Sequence, residues 1–254
     1  MMKQSKITVI LLMLFGLTNI KTQDLHMKTI GLLGGTGWSS TIGYYTQLNQ
    51  LMHERLGGHH SAKIILKSID YHDIASNYGK DNDKVASLFH EELLGLIALN
   101  PDCIIICCNS LHKFYDIVKP HLYSDIPVLH AIELVAQYVQ QQNFKRVLLL
   151  ATKLTMEDGF FTRTLEKNGV QVVIPDQAQR HEINRIIFDE LIGNVVIQTS
   201  KDYFANIIAQ YSDVDAVVLG CTELPLVLSL ENSTLPIIDP VKLQCIAAVD
   251  FALK

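Results

Sequence analysis

The stretch "IIICCNSLHKFYD" (residues 104–116) runs three isoleucines into two adjacent cysteines, followed by small polar residues and a histidine. A second stretch, "AVVLGCTELPLVL" (216–228), has the same form: an apolar run, a cysteine and small polar residues. Continuous aliphatic runs of this length are typical of strands that are buried on both faces of a parallel sheet. The two stretches therefore predict an α/β fold in which two parallel strands each end at a cysteine.

The rest of the chain alternates short apolar runs with longer amphipathic stretches, which predicts parallel sheets covered by helices on both faces. Weak internal repetition accompanies this pattern, since "GLLGGTGWSSTIGYY" (31–45) is similar to "LLLATKLTMEDGFF" (148–161). We therefore predict two similar α/β domains with a cleft between them. The first domain comprises residues 27–128 plus 238–254, and the second comprises residues 129–237.

Composition excludes several classes of protein. The 254 residues carry a formal net charge of −5, with 21 Lys and Arg against 26 Asp and Glu, so we expect no nucleic-acid partner. The five cysteines are an odd number and show no disulfide framework. Cys103, Cys107 and Cys245 are interpreted as core residues. No metal site is expected, because no second pair of ligands has suitable spacing.

Cys108 and Cys221 are the candidate catalytic residues. Ligands of open α/β sheets bind at the carboxyl ends of the strands, where both cysteines are predicted to lie. Unpaired backbone N–H groups there favour negative charge, so we expect them to lower the pKa of each thiol and to bind a carboxylate. A thiolate and a thiol on opposite sides of a small carboxylate substrate would remove a Cα proton from one face and return one to the other. His112 and Glu223 are predicted to support these protonation states.

At these residues the sequence resembles the aspartate/glutamate racemase family over residues 28–254. "IGLLGGTGWSSTIGYY" (30–45) is similar to the family's opening motif, "CNSLHKFYD" (108–116) to its "CNT-x-H" motif and "LGCTELPLVL" (219–228) to its "GCTE" motif. The resemblance implies two pseudo-symmetric Rossmann-like domains with mostly parallel sheets, an active site in the interdomain cleft and no PLP or other cofactor. It also implies that the two cysteines act as the two bases. Substrate-binding positions are predicted at Thr36, Asn109, Ser110, Thr152, Thr222 and Glu223.

The predicted function is racemisation of an amino acid, most directly aspartate, with glutamate or a broader set as further substrates. Trp38 places the chain in a branch with the pattern "GGxxWxST", and Ser110 stands where threonine is usual. No arginine follows the second predicted strand to bind a side-chain carboxylate, which leaves Arg180 and Arg185 as candidate substitutes, although at least one of them is interpreted as part of a solvated helix face.

Two alternatives stay open at this point. One is a single-cysteine isomerase of the same scaffold, similar to maleate isomerases. The other is an exported small-molecule-binding protein, whose cysteines would be inert. The expected partner is an amino-acid substrate, and the protein is also considered as a homodimer.

The N-terminal segment, residues 1–26, has two interpretations. A short basic start is followed by the apolar run "ITVILLMLFGL" (7–17), as in a signal peptide, but no clear cleavage site follows. The alternative is a misassigned start, with Met27 as the natural beginning. The run is too short for a comfortable membrane span, so no stable span is expected in the mature domain. Because export would expose the thiols to oxidation, the cytoplasm is favoured, and the periplasm follows if residues 1–20 direct export.

Overall fold

The computed structural model describes residues 26–254 as an α/β protein. Its strands are β1 (Ile30–Gly34), β2 (Ile64–Ser68), β3 (Cys103–Ile106), β4 (Arg146–Leu150), β5 (Gln171–Val173), β6 (Ala216–Leu219) and β7 (Ile237–Ile238). Its helices are α1 (Trp38–Leu56), α2 (His72–Asn77), α3 (Asn82–Ile97), α4 (His112–Val118), α5 (Ala131–Gln141), α6 (Lys153–Asp158), α7 (Phe160–Glu166), α8 (Gln177–Ile186), α9 (Gln198–Gln210) and α10 (Pro240–Ala252).

The strands form two sheets. The first has the order β2-β1-β3 and the second β5-β4-β6-β7, and all of these pairings are parallel. The predicted class, parallel α/β sheets with helices on both faces, is confirmed. Parallel strands present their carboxyl ends at one edge of a sheet. The segments that follow β1, β2 and β3 therefore meet at one edge, and those that follow β4 and β6 meet at the corresponding edge of the second sheet.

Side chains along β1 and β3 alternate between two apolar clusters. Leu32 and Cys103 pack on the face covered by α1 and α10, whereas Leu33 and Ile104 pack on the face covered by α3 and α4. Because every second side chain points to the same face, both faces of the first sheet need continuous apolar sequence. This explains why the strand stretches carry unbroken Val, Ile and Leu.

The last helix returns to the first sheet. Helix α10 packs against α1 and α5, and its Cys245 belongs to the same apolar cluster as Leu32 and Leu48. The Tyr44 hydroxyl donates a 2.6 Å hydrogen bond to Gln244 Oε1 inside this contact. The predicted assignment of residues 238–254 to the first domain agrees with this packing, although the domain boundaries themselves stay a prediction.

One predicted helix is irregular. The sequence predicts a continuous helix over "RHEINRIIFDELI" (180–192), but α8 ends at Ile186 and a π turn follows over Ile187–Leu191. The wider turn directs Glu190 inward, where it accepts a 2.5 Å hydrogen bond from Ser200 Oγ. A buried carboxylate needs such partners, so this contact accounts for the departure from regular helix.

Within residues 26–254, the structure contains no helix with the length and apolar character needed to cross a membrane. The interpretations of the N-terminal segment as a signal peptide or a misassigned start lie outside the described residues.

Gly35 holds the turn after β1 close to the end of β2. Its φ of +85° is in the left-handed region, and a Cβ there would lie 2.2 Å from the Ile69 carbonyl oxygen. We expect Gly35→Ala to lower the free energy of unfolding by about 2–5 kcal/mol, since backbone strain adds to overlap. Urea unfolding measures this. Gly57→Ala is the control, because Gly57 has φ +69° but open space around a Cβ. Equal losses in both variants would contradict the close-approach argument.

Candidate active site

Cys108 lies at the carboxyl end of the first sheet. It follows β3 and precedes a single 3-10 turn (Asn109–Leu111) that leads into α4. Its partly buried Sγ lies 3.2 Å from Ser110 Oγ and 4.0 Å from the Tyr71 hydroxyl oxygen. Cys108 is therefore surrounded by hydroxyl groups from two segments of the same sheet edge.

Cys221 occupies the corresponding place in the second sheet. It follows β6, and its thiol donates a 3.1 Å hydrogen bond to Glu223 Oε2. The Thr222 hydroxyl donates to the same carboxylate oxygen at 2.9 Å. Glu223 is itself buried, so the second thiol lies against a carboxylate where the first lies against hydroxyl groups.

The expected lowering of the two thiol pKa values is wrong in sign. Burial raises the pKa of the Cys108 thiol, although hydrogen bonds from Ser110 and from the Leu111 backbone act against this shift. Burial, and after it the charge of Glu223, raises the pKa of the Cys221 thiol well above its usual value. One 3-10 turn offers too few aligned peptide dipoles to outweigh the loss of solvation. Both thiols are therefore protonated near neutral pH in the ligand-free protein.

The two cysteine sites meet in one region. The charge of Glu223 contributes to the raised pKa of Cys108, and the charge of Cys108 contributes to the raised pKa of Cys221. The glycine turn after β1 also reaches this region, since a Cβ on Gly37 would lie 3.0 Å from Glu223 Oε1. Glu223 also accepts a hydrogen bond from the Cys221 thiol, and Thr36, next to Gly37, donates one to the carbonyl oxygen of the residue before Cys108. Both predicted cysteines and Glu223 therefore lie around the same glycine turn.

Asn109 has a buried side-chain amide without hydrogen-bond partners among the described residues. The residue is only 3% exposed, and the Oδ1 and Nδ2 atoms of its amide are both unpaired within residues 26–254. An unpaired buried amide is costly, so native proteins rarely keep one without a reason. Since Asn109 is next to Cys108, its amide has both donors and an acceptor free at the predicted site.

The two remaining threonines lie at the same sheet edges but already have partners. Thr36, after β1, donates a 3.1 Å hydrogen bond to the Cys107 carbonyl oxygen. Thr152, after β4, caps α6, and its hydroxyl oxygen accepts a 3.4 Å hydrogen bond from the Thr155 N–H. Each hydroxyl oxygen keeps an acceptor position, so both residues remain available to a ligand.

His112 does not support the Cys108 thiol as predicted. Its ring is fully buried, and its Nε2 accepts a 3.4 Å hydrogen bond from the Ala131 N–H and lies 3.4 Å from Gln244 Nε2. Burial, and after it the neighbouring His130, holds the pKa of His112 well below its usual value. The ring is therefore neutral and connects α4 to α5 and α10. The spacing misled because groups of α5 and α10, distant in sequence from Cys108, hold the ring.

The other cysteines lie where the sequence predicts. Cys103, Cys107 and Cys245 are free and fully buried, and the prediction that they are core residues is confirmed. Across residues 26–254, no three His, Cys, Asp or Glu side chains are arranged to hold a metal ion.

Neither candidate arginine is free. Arg180 pairs with Glu157 at 3.0 Å and also donates to the Pro175 carbonyl oxygen at 2.5 Å. Arg185 pairs with Glu182 at 2.7 Å and with Glu190 at 3.0 Å. These contacts hold both arginines against α6 and α8, and among the described residues neither one contacts Cys108, Cys221 or the residues around them, so the structure gives no support to either arginine as the cation for a substrate side chain.

Sequence reasoning missed two tyrosines near Cys108 and a lysine on the helix that follows it. Tyr71 and Tyr78 follow β2, and the Tyr78 hydroxyl donates a 2.6 Å hydrogen bond to the Ser110 carbonyl oxygen. Lys113 reaches from α4 to Asp158 at the end of α6. The rule that ligands gather at the carboxyl ends of strands would have selected the tyrosines, because β2 ends at the same edge as β3.

Comparisons with known proteins identify the family and agree with the fold. The family model described as Asp/Glu/Hydantoin racemase matches residues 33–248. The broad-specificity amino-acid racemase RacX of Bacillus subtilis is 26% identical over 161 residues, 63% of this chain and 68% of the relative.

Two crystal structures are similar over most of the chain. A Yersinia pestis protein assigned to the Asp/Glu racemases is 36% identical, with a TM-score of 0.81 over 90% of this chain and 100% of the other. An aspartate racemase homologue from Pyrococcus horikoshii is 28% identical, with a TM-score of 0.79 over the same shares.

Proposed function

Because the chain belongs to the Asp/Glu/hydantoin racemase family, we propose that it is a cofactor-independent amino-acid racemase that acts on aspartate, with glutamate and a broader set as further substrates. The observation that carries the proposal is the pair of partly buried thiols, Cys108 and Cys221. Each lies at the carboxyl end of a strand in a different parallel sheet, and the charge of one affects the pKa of the other.

Two thiols on opposite sides of Cα are sufficient for inversion. The thiolate of one cysteine takes the Cα proton and becomes a thiol, which leaves a carbanion on the substrate. The thiol of the other cysteine gives its proton to the opposite face and becomes a thiolate. The product is the other enantiomer, and exchange with solvent restores the starting protonation states.

Burial of the two thiols has two opposite effects on proton removal from Cα. The same desolvation that raises the pKa of each thiol makes its thiolate a stronger base. A strong base is needed, since the Cα proton of an amino acid is only weakly acidic. The accompanying disadvantage is that little thiolate is present near neutral pH.

The surroundings of the two sulfurs support Cys108 as the base at the start of the reaction. Ser110 and the backbone N–H of Leu111 donate hydrogen bonds that stabilise a Cys108 thiolate. Cys221 instead donates its own proton to Glu223 Oε2, and the carboxylate disfavours a second negative charge there. The enantiomer whose Cα–H bond faces Cys108 therefore meets the thiolate directly, and its inversion starts without a prior change in the protonation states.

The polar residues around the thiols fit the two charged groups at Cα. The unpaired amide of Asn109 offers donors to a carboxylate and an acceptor to an ammonium group. The buried Glu223 carboxylate offers a counter-charge to the ammonium group. Neutralising that carboxylate would also lower the pKa of Cys221, so substrate binding favours formation of thiolate.

Solvent deuterium incorporation at Cα tests the function. L- and D-aspartate and L- and D-glutamate are each incubated with the protein in D2O, with the thiols reduced, and followed by NMR. We expect exchange accompanied by racemisation, fastest for aspartate. Absence of exchange with all four would contradict the proposal. A covalent substrate–cysteine adduct without exchange would point to the single-cysteine isomerase instead.

A further inference from the structure

We infer that Lys113 binds the distal carboxylate of an acidic substrate and so makes the site selective for dicarboxylic amino acids. This inference rests on the proposed function. An aspartate side chain brings a negative charge into a region that already contains the Glu223 carboxylate. A partly buried carboxylate needs a cation with hydrogen-bond donors.

Lys113 extends from the segment that carries Cys108 to the segment that follows β4. It lies in the first turn of α4, three residues after Ser110, and its Nζ is 2.6 Å from Asp158 Oδ2 at the end of α6. The side chains of Lys113 and Asp158 are only 18% and 19% exposed. Since α6 begins directly after Thr152, this ion pair joins the segments that follow β3 and β4.

Tyr78 contacts both the Cys108 segment and the helix that carries Lys113. Its hydroxyl donates to the Ser110 carbonyl oxygen at 2.6 Å, and its ring packs edge-on against Phe114, the residue after Lys113, with the ring centroids 5.2 Å apart. The Cys108 Sγ in turn lies 3.2 Å from Ser110 Oγ. The start of α4 and the Cys108 thiol therefore meet around Ser110 and Tyr78.

The ammonium group of Lys113 has capacity for a second carboxylate. It carries three N–H donors and can contact Asp158 and a substrate together. Asp158 is also secured without it: Arg163 Nη2 lies 3.7 Å from Asp158 Oδ1, and Arg163 Nη1 donates to its backbone carbonyl oxygen at 3.1 Å. Movement of Lys113 toward a substrate therefore does not leave an unpaired acid behind.

Lys153 is the competing lysine and provides a matched control. It occupies the first position of α6, directly after Thr152. Its Nζ lies 3.1 Å from His181 Nε2, so the side chain is directed toward α8. Lys113 by contrast begins in the Cys108 segment, and its Nζ reaches Asp158 at the other end of α6.

The first test measures binding of two probes by titration calorimetry. Succinate has two carboxylates, and butyrate has one carboxylate with a chain of the same length. We expect the wild type to prefer succinate and Lys113→Gln to lose that preference. Lys113→Arg should keep it in part, and Lys153→Gln should keep it in full. A wild type without preference, or an equal loss in both glutamine variants, would overturn the inference.

The second test uses kinetics. In Lys113→Gln the KM for aspartate should rise about 100-fold, as expected for loss of a charged hydrogen bond, while kcat changes little. Asp158→Asn removes the competing acid and should lower that KM. If Asp158→Asn instead weakens succinate binding as much as Lys113→Gln, the ion pair serves only to hold the two segments together, and the inference is wrong. If the wild type prefers succinate but exchanges no Cα proton, the racemase proposal fails while the role of Lys113 stands.

Discussion

Replacing either Cys108 or Cys221 with alanine is expected to reduce racemisation by about 10³-fold or more, the range attributed to a positioned acid or base. Each variant removes one of the two groups that inversion requires, and no neighbouring thiol is placed to replace it. Cys107 is directly adjacent to Cys108, but it points into the apolar core on the α1 and α10 face. Racemisation is measured by circular dichroism, starting from each enantiomer of aspartate.

The matched control for this prediction is Cys107→Ala. The residue is fully buried and its side chain belongs to the core, so its loss should lower the free energy of unfolding by about 1 kcal/mol while leaving kcat nearly unchanged. A similar fall in kcat for Cys107→Ala and Cys108→Ala would show that the decrease comes from disturbed packing. It would remove the basis for assigning Cys108 to catalysis.

Deuterium exchange in the alanine variants separates two bases from one. With Cys221 replaced, Cys108 can still remove and return a proton on its own side, so one enantiomer should exchange without inversion. With Cys108 replaced, Cys221 should exchange the Cα proton of the other enantiomer, again without inversion. Unchanged racemisation in either variant would contradict a two-base mechanism. A covalent intermediate that depends on one cysteine alone would favour the isomerase alternative.

The fold was predictable because its signals are local. The apolar runs of β1, β3, β4 and β6 indicate strands buried on both faces, and Gly35 and Gly220 mark the ends of β1 and β6. Short segments were harder to predict. Helix α2 has six residues and one buried side chain, and the π turn after α8 depends on contacts of Glu190 with another helix.

The positions of the catalytic candidates followed from the sequence, but their electrostatics did not. The rule about strand ends places Cys108 and Cys221 at the site without any knowledge of packing. The sign of each pKa shift depends on burial by residues distant in sequence and on the rotamer of Glu223, which no local pattern reveals. Packing between distant segments also decides the role of His112. Its hydrogen bonds go to Ala131 and Gln244, which its spacing of four residues from Cys108 does not reveal.

Glu223→Gln is expected to increase the reactivity of Cys221 by about tenfold or more below its pKa, since each pKa unit changes the thiolate fraction tenfold. The glutamate raises the pKa of Cys221 through its charge and through the hydrogen bond that the thiol donates to it. Glutamine keeps the shape but removes the charge, so the pKa of the thiol falls and more thiolate is present at a given pH. Rates of alkylation by iodoacetamide across a pH series measure this in a Cys108→Ala background, where Cys221 is the remaining partly exposed cysteine.

Two comparisons make this result specific. The first is Glu190→Gln, which neutralises another buried glutamate, one bonded to Ser200 and Arg185, and should leave the alkylation profile unchanged. The second repeats Glu223→Gln in a Cys221→Ala background. There the pKa of Cys108 should fall less, because burial dominates its shift and the contribution of Glu223 is smaller.

An unchanged alkylation profile for Cys221 would mean that burial alone keeps this thiol protonated, and Glu223 would have no role in setting the pKa of Cys221. A larger change at Cys108 than at Cys221 would reverse the assignment of which thiol starts the reaction as the base.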